Sequence, residues 1–382
     1  MRLLINTATL RFGGAVQGAL SFINECKSFN EHEYHVFVGK GVAKSLQKQD
    51  FPSNFNFYDF DFGPISLWKI PGIERALSKY EKQINPDCII STSGPSYWHA
   101  KAPHLIGFNL GLYIYPESPF HKTLSLKSRF RMVIKRKLHF FFFRRDATAY
   151  IVQTDDVNTR VKKALKNDKV FTVTNTHNGF YRNPTKRIEN KLPTKTENEI
   201  RLLTLSSYYS HKNIEIIPML SDELMRRGIK NIKFVLTIDQ QCYTKIFSNN
   251  YLSEVITLGP VKPEECPALY MECDIMFLPT LVECFSASYP EAMVMKKPIV
   301  TTNLGFAQNI CGDAALYFEP MNPISAADVI ECLLKDKKLG QELIENGLQR
   351  LNNFDNAKER ARKILDICKE LTNNREKKQN ES

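Results

Sequence analysis

The chain has 382 residues, 43% hydrophobic and 24% charged, an ordinary globular balance and enough length for two cores. No run reaches the roughly 18 apolar residues that span a bilayer, and nine scattered cysteines without a C-x-x-C pair argue for reduced thiols rather than disulfides or a zinc site. The net charge of +11 is uneven, since nine basic and no acidic residues lie between Ser118 and Arg145, which suits an anionic partner.

In chain order, MRLLINTAT is too short in its apolar core for a signal peptide and reads as a first strand. Strands are predicted at Leu3–Thr7, Tyr34–Val38, Phe55–Tyr58, Cys88–Ser91, His104–Phe108, Ala149–Gln153 and Val170–Val173, with helices between them. The polar stretch RNPTKRIENKLPTKTEN, from Arg182 to Asn198, reads as a linker, which separates the domains at 183–199. A second series follows at Arg201–Leu205, Lys233–Thr237, Val255–Leu258, Ile275–Leu278, Ile299–Thr302 and Leu316–Phe318. This βα alternation means parallel sheets with right-handed crossovers. The fold class is therefore α/β, two Rossmann-like doubly wound domains facing a cleft, over 1–182 and 200–354. Residues 355–372 read as a helix, and the polar tail 373–382 as frayed.

The stretch ALYMECDIMFLPTLVECFSASYPEAMVMKKP, 268–298, concentrates the chemistry. Pro279 ends a buried strand, a loop follows, and a helix opens near Ser288 with Pro290 in its first turn. Glu283 falls in the loop at the strand's carboxyl end, and Glu291 in the first helical turn. In an open α/β sheet that crevice binds ligands. An ionised carboxylate there suits sugar hydroxyls, because it accepts two hydrogen bonds from a vicinal diol. A solvated loop acid and a helix-capping acid would read the same way from these two residues alone.

The block ECFSASYPEAM, the following KKPIVTTN and the run GFAQNICGDAALYFEP resemble glycosyltransferase family 4, the retaining GT-B glycosyl transferases of group 1. Glu283 and Glu291, with seven residues between them, match that family's E-x7-E pattern. The resemblance implies a GT-B fold whose last helix crosses back onto the N-terminal, acceptor-binding domain. It also implies transfer of a sugar from a nucleotide-diphosphate donor to a saccharide or lipid-linked acceptor. By position it makes Glu283 the acid at the donor sugar, Glu291 the partner of the ribose hydroxyls, and Lys212 the cation on the leaving diphosphate.

The same resemblance places Gly13 and Gly14 close to the donor, in a turn that is not G-x-G-x-x-G. The loop Cys284, Phe285, Ser286 and Ala287 would offer its N–H groups to sugar or phosphate, and Val261 would edge the base. Asn109 stands where relatives carry a histidine near the sugar. Two positions depart from the pattern. Ser207 stands where the family has an arginine, so His211, a residue of the N-terminal domain or backbone amides must compensate. Cys284 replaces a glycine, and with no thiolate-activating partner it is a steric element rather than a nucleophile.

No residues show metal-ligand spacing, and Asp59-Phe60-Asp61 matches D-x-D only by chance, so metal-independent chemistry without a cofactor is expected. KRKLHFFFFRRD supplies an interfacial candidate for an anionic membrane: Lys135, Arg136, Lys137, Phe141, Phe142, Arg144 and Arg145. The alternative is rings in a core and solvated cations. No nucleic-acid motif is present, so a cytoplasmic protein, peripheral on the inner face of the plasma membrane, is expected. The rival readings are a nucleotide-sugar-binding protein without catalysis and a basic scaffold for membrane or nucleic acid.

Overall fold

The computed structural model describes residues 1–181, 192–247 and 253–380, with side chains to 377. Most of the linker predicted at 183–199, through 191, lies outside the described residues, as does the very end of the tail. The chain folds as two compact units. Met1–Ile114, Leu124–Asn175 and the chain from Asp355 onward form one, and Tyr115–Thr123 with Thr176–Phe354 the other.

The N-terminal unit carries β1 (Arg2–Asn6), β2 (Glu33–Gly39), β3 (Phe55–Phe60), β4 (Cys88–Ser91), β5 (His104–Gly107), β6 (Ala149–Val152) and β7 (Val170–Thr172), in the order β3-β2-β1-β4-β5-β6-β7. Every pairing is parallel, with β1 registered on β2 (Leu3 opposite Tyr34) and on β4 (Leu3 opposite Cys88). The inner strands β1, β4, β5 and β6 are covered on both faces, which is why they read as apolar runs, whereas the edge strand β3 exposes Asn56 and Asp59. Successive β1 side chains leave on opposite sides: Leu3 and Ile5 join Val16, Ile23 and Val36 in one core, while Leu4 joins Phe37, Ile73, Leu77, Ile89 and Trp98 in another.

The second unit carries β8 (Ile200–Thr204), β9 (Ile232–Leu236), β10 (Val255–Thr257), β11 (Ile275–Leu278), β12 (Ile299–Thr302) and β13 (Ala315–Phe318), in the order β10-β9-β8-β11-β12-β13, again parallel. In each sheet the winding reverses beside its first strand, between β1 and β4 and between β8 and β11. At such a switch point the two loops at the carboxyl ends diverge and leave a crevice.

Three expectations change. The residues around Lys212 do not open an α-helix at Asn213. Turns at Ser210–Lys212 and Ile214–Ile216 flank Asn213, whose φ of 54° is left-handed, and the helix proper is Ile217–Arg226 with Pro218 in its first turn. The last helix does not fray at Thr372 but runs Ala357–Asn380, because Arg, Glu, Lys and Gln propagate a helix already nucleated by packing. Its residues Ala361, Ile364, Leu365, Cys368 and Leu371 belong to the core of the N-terminal unit.

The basic segment forms one helix, Leu126–Asp146, capped by the Ser125 hydroxyl, which accepts from the Ser128 N–H at 3.2 Å. Its four consecutive phenylalanines divide: Phe140, Phe142 and Phe143 are buried and Phe141 is exposed. Phe142 therefore cannot meet a membrane, since its ring packs edge-on against Tyr97 at 5.1 Å. Arg144 donates to the carbonyl oxygens of Ala164 and Leu165, and Arg145 pairs with Asp146 and Glu74, so both serve the unit's own structure. Among the described residues no helix is long and apolar enough to cross a membrane.

Candidate functional site in the second unit

The switch point of the second sheet is flanked by the loop after β8 and the loop after β11. The structure ties them together through backbone. The Leu281 N–H donates to the His211 carbonyl at 2.8 Å, and the Thr280 hydroxyl reaches the same oxygen at 3.3 Å. Thr302, at the end of β12, donates its hydroxyl to the Thr280 carbonyl at 2.7 Å. This bracing brings Lys212 and Glu283, 71 residues apart in sequence, into a direct ion pair through Oε1, with side chains only 12% and 14% exposed.

The Thr280 hydroxyl also donates to Glu283 Oε1, at 3.1 Å. Oε2 carries no hydrogen bond among the described residues, and an ammonium has three N–H donors. The pair thus keeps an acceptor and donors for a ligand that offers hydroxyls and anionic oxygens together. Such bonds to ionised groups are stronger than neutral ones and are poorly screened when half-buried.

Glu291 stands in the first turn of the short helix Ser288–Val294, as expected, but in another environment. The Tyr270 hydroxyl approaches its Oε2 at 3.4 Å and also contacts the Ser288 carbonyl at 3.3 Å. Burial pushes the Glu291 carboxyl up to about 7, against hydrogen bonds from Tyr181 and Tyr270 that favour the charged form. Tyr181 and Tyr270 are both buried, with rings in edge contact at 6.0 Å. Sequence reasoning missed both. Tyr270 lies inside the stretch 268–298, but nothing in its spacing marks it.

His211 does not supply the cation that the serine at 207 leaves out. Burial lowers its pKa, with the nearby Lys212 adding to that and Glu283 opposing, so its imidazole is neutral at neutral pH. Ser207 itself is exposed. Cys284 and Ser286 are buried, and Phe285 packs edge-on against Phe354 at 6.0 Å. Ala287 leads into the helix, and Val261 is half-buried just after Gly259, whose φ of 71° turns the chain after β10.

A segment from the first half of the sequence completes this region. Tyr115–Thr123 folds with the second unit, where the Ser118 hydroxyl donates to the Leu281 carbonyl at 2.8 Å and the Phe120 ring meets His211 edge-on at 6.1 Å. Tyr115 packs against Phe306 at 6.2 Å. No sequence signal marks these contacts, because the partners are up to 191 residues away, from Tyr115 to Phe306.

The N-terminal unit holds the other predicted positions. Gly13 adopts φ 80°, ψ −167°, a region that glycine reaches without strain, and its carbonyl begins the helix Gly14–Glu25. Asn109, past the end of β5, is exposed and accepts from the Ser93 hydroxyl at 3.1 Å. His104 is a core residue bonded to Ser91.

Residues 185–350, which fall almost wholly in the second unit, match the family described as Glycosyl transferases group 1. An uncharacterized glycosyltransferase of Methanocaldococcus jannaschii is 27% identical over 145 residues, which cover 36% of this chain and 41% of the relative. Among solved structures, HepE of Anabaena in complex with UDP and glucose superposes with a TM-score of 0.68 at 15% identity, over 97% of this chain and 100% of that one. WaaG, a glycosyltransferase involved in lipopolysaccharide biosynthesis, gives 0.69 at 14%, over 96% and 99%. Likeness at this identity is likeness of fold, and it agrees with two Rossmann-like halves of GT-B type.

Proposed function

We propose that the protein is a retaining glycosyltransferase of family 4. It moves a sugar from a nucleotide-diphosphate donor to a hydroxyl of a saccharide acceptor, lipid-linked and destined for a bacterial surface polysaccharide. The observation that carries this reading is the Lys212–Glu283 pair at the switch point of the domain that matches Glycosyl transferases group 1. The ammonium takes the charge that develops on the departing diphosphate, and Glu283 Oε2 accepts from a hydroxyl of the donor sugar.

With no base poised opposite the pair in this reading, the departing phosphate oxygen receives the acceptor's proton, and the new bond forms on the face the diphosphate leaves. The Lys212 ammonium would do electrostatically what a metal ion does elsewhere, which makes the chemistry metal-independent. Glu291 would hold the ribose diol, and Ser286 and its neighbours the phosphate and sugar. A panel of UDP-, GDP- and ADP-sugars, scored by thermal shift and by release of the nucleoside diphosphate, tests the proposal. It fails if none raises the midpoint.

The protein would work at the cytoplasmic face of an anionic membrane. Leu126, Phe130, Val133, Ile134 and Phe141 are exposed and recur at helical spacing on one side of the helix Leu126–Asp146, and Lys127, Arg129, Arg136 and Lys137 are exposed on the same helix. An apolar stripe beside cations is the composition of a helix lying in an interface. Co-flotation with phosphatidylglycerol vesicles, lost in phosphatidylcholine vesicles and weakened by salt, checks it. Equal recovery with both lipids would remove the membrane from the account.

A further inference from the structure

In the N-terminal unit, three loops meet at the carboxyl ends of the adjacent strands β1, β2 and β3. The loop after β1 lies on Gly41, whose N–H donates to the Leu10 carbonyl at 3.1 Å. A Cβ on Gly41 would stand 2.5 Å from the Arg11 carbonyl group, so glycine alone admits this approach. It fixes where Arg11 leaves the backbone.

From there Arg11 reaches the loop after β3. Arg11 Nη1 and Lys69 Nζ flank Gly63, at 3.7 and 3.3 Å from where its Cβ would be, which holds the two nitrogens within about 7 Å of each other. Among the described residues neither cation has a carboxylate hydrogen-bonded to it. Lys69 donates to the carbonyl oxygens of Phe62 and Pro64, at 3.1 and 3.2 Å, and Arg11 Nη1 is buried with no hydrogen-bond partner.

The carboxylate of this neighbourhood is committed elsewhere. Asp61 accepts from Lys40 Nζ and from the Gly63 N–H, each at 3.1 Å, and the Lys40 bond leads the effects, Arg11 among them, that hold its carboxyl below the usual range. Counting Arg11, Lys40, Lys69 and Asp61, the cluster is left with two positive charges. Like charges at this separation repel, and a buried guanidinium N–H without an acceptor costs free energy. An oxyanion between the two cations relieves both. Next to them in sequence stand two rings that the fold leaves in water, Phe12 at 72% exposure and Trp68 at 93%. Each ring offers a flat apolar face with a hydrophobic payload that burial against a ligand would claim.

We propose that this rim binds a phosphate group carried by the sugar acceptor, with Arg11 and Lys69 on its oxygens and Phe12 and Trp68 covering the adjoining sugar. The word acceptor rests on the glycosyltransferase reading above. The binding site itself does not.

The test is calorimetry on the full chain with glucose 6-phosphate, glucose and inorganic phosphate, with and without UDP. Variants are Arg11→Gln, Lys69→Gln and their combination, with Lys82→Gln as a control and circular dichroism to confirm folding. Glucose 6-phosphate is expected to bind more tightly than either glucose or free phosphate. Each substitution should weaken it about tenfold, the scale of one charge-assisted bond, while UDP affinity and the control stay unchanged. Arg11→Lys should recover part of the loss.

Unchanged affinity in the double variant overturns the site. Loss of UDP affinity in Arg11→Gln, with UDP displacing glucose 6-phosphate, would assign the cations to the donor's diphosphate and overturn it as well. Free phosphate binding as tightly as the ester would overturn the sugar contacts. If every nucleotide sugar leaves the protein inactive while the ester still binds through these residues, the transferase reading fails and the anion site stands.

Discussion

Glu283 and Glu291 leave the same strand–loop–helix passage and meet opposite surroundings. The loop acid shares Oε1 between an ammonium and a threonine hydroxyl, whereas the helix acid is enclosed by tyrosines, and its pKa rises to about 7. Partner and burial decide the difference. The loop acid has an ammonium at contact distance, while neutral hydroxyls only partly repay the helix acid for the loss of water. The first acid is thus suited to electrostatic work, and the second to hydrogen bonding whose strength varies with pH.

The largest expected effect breaks the comparison at its charged end. Glu283→Ala and Lys212→Ala should each lower turnover by roughly 10²- to 10³-fold with the fold retained. Because the two side chains act as one unit, the double variant should lose little more than either single one. Losses that multiply would show that the pair does not work together.

Glu291→Gln sharpens the other end. Its folded-state pKa lies above the value of 4.5 for a free carboxyl, so the native state holds the extra proton between 4.5 and about 7. Stability therefore falls as pH rises through that window. The glutamine variant should lack this decline, gaining melting temperature over the parent at pH 8 but not at pH 4. Nucleotide affinity should fall about tenfold, the weight of a bond to a charged group. A constant difference in melting temperature across pH would contradict the assignment.

The smallest effect tests the support behind the loop acid. Ser118→Ala removes the donor to the Leu281 carbonyl and should cost about 1 kcal/mol, a shift of a degree or two in melting temperature. Turnover should fall by a small factor, and the pH dependence of stability should not move.

Strands β1 to β13 were legible within a residue or two, because strands covered on both faces must be apolar runs between polar turns. The stretch 268–298 was legible too: a proline after an apolar run and a proline in a first helical turn mark loop boundaries by backbone chemistry alone. Physical causes without a local signature were not. Asn213 takes a left-handed turn where a helix start was read, since an asparagine there signals a cap and a turn equally well. The four phenylalanines cannot be divided between core and solvent without knowing which face of Leu126–Asp146 meets the sheet. Tyr181 on Glu291 and the serine under Leu281 come from distant parts of the chain, and pattern reading does not reach across such separations.

The helix from Ala357 onward supplies Ala361, Ile364, Leu365, Cys368 and Leu371 to a core that otherwise consists of residues before 174. Its Thr372 hydroxyl contacts the Asp87 carbonyl at 3.4 Å, just ahead of β4. During synthesis those residues leave the ribosome only after the whole of the second unit. The second unit can close while its elder neighbour still waits with an open flank, reversing the usual order in which nascent domains mature. Until that last helix arrives, the earlier sheet is a client for chaperones, and cleavage ahead of residue 357 would strand it there.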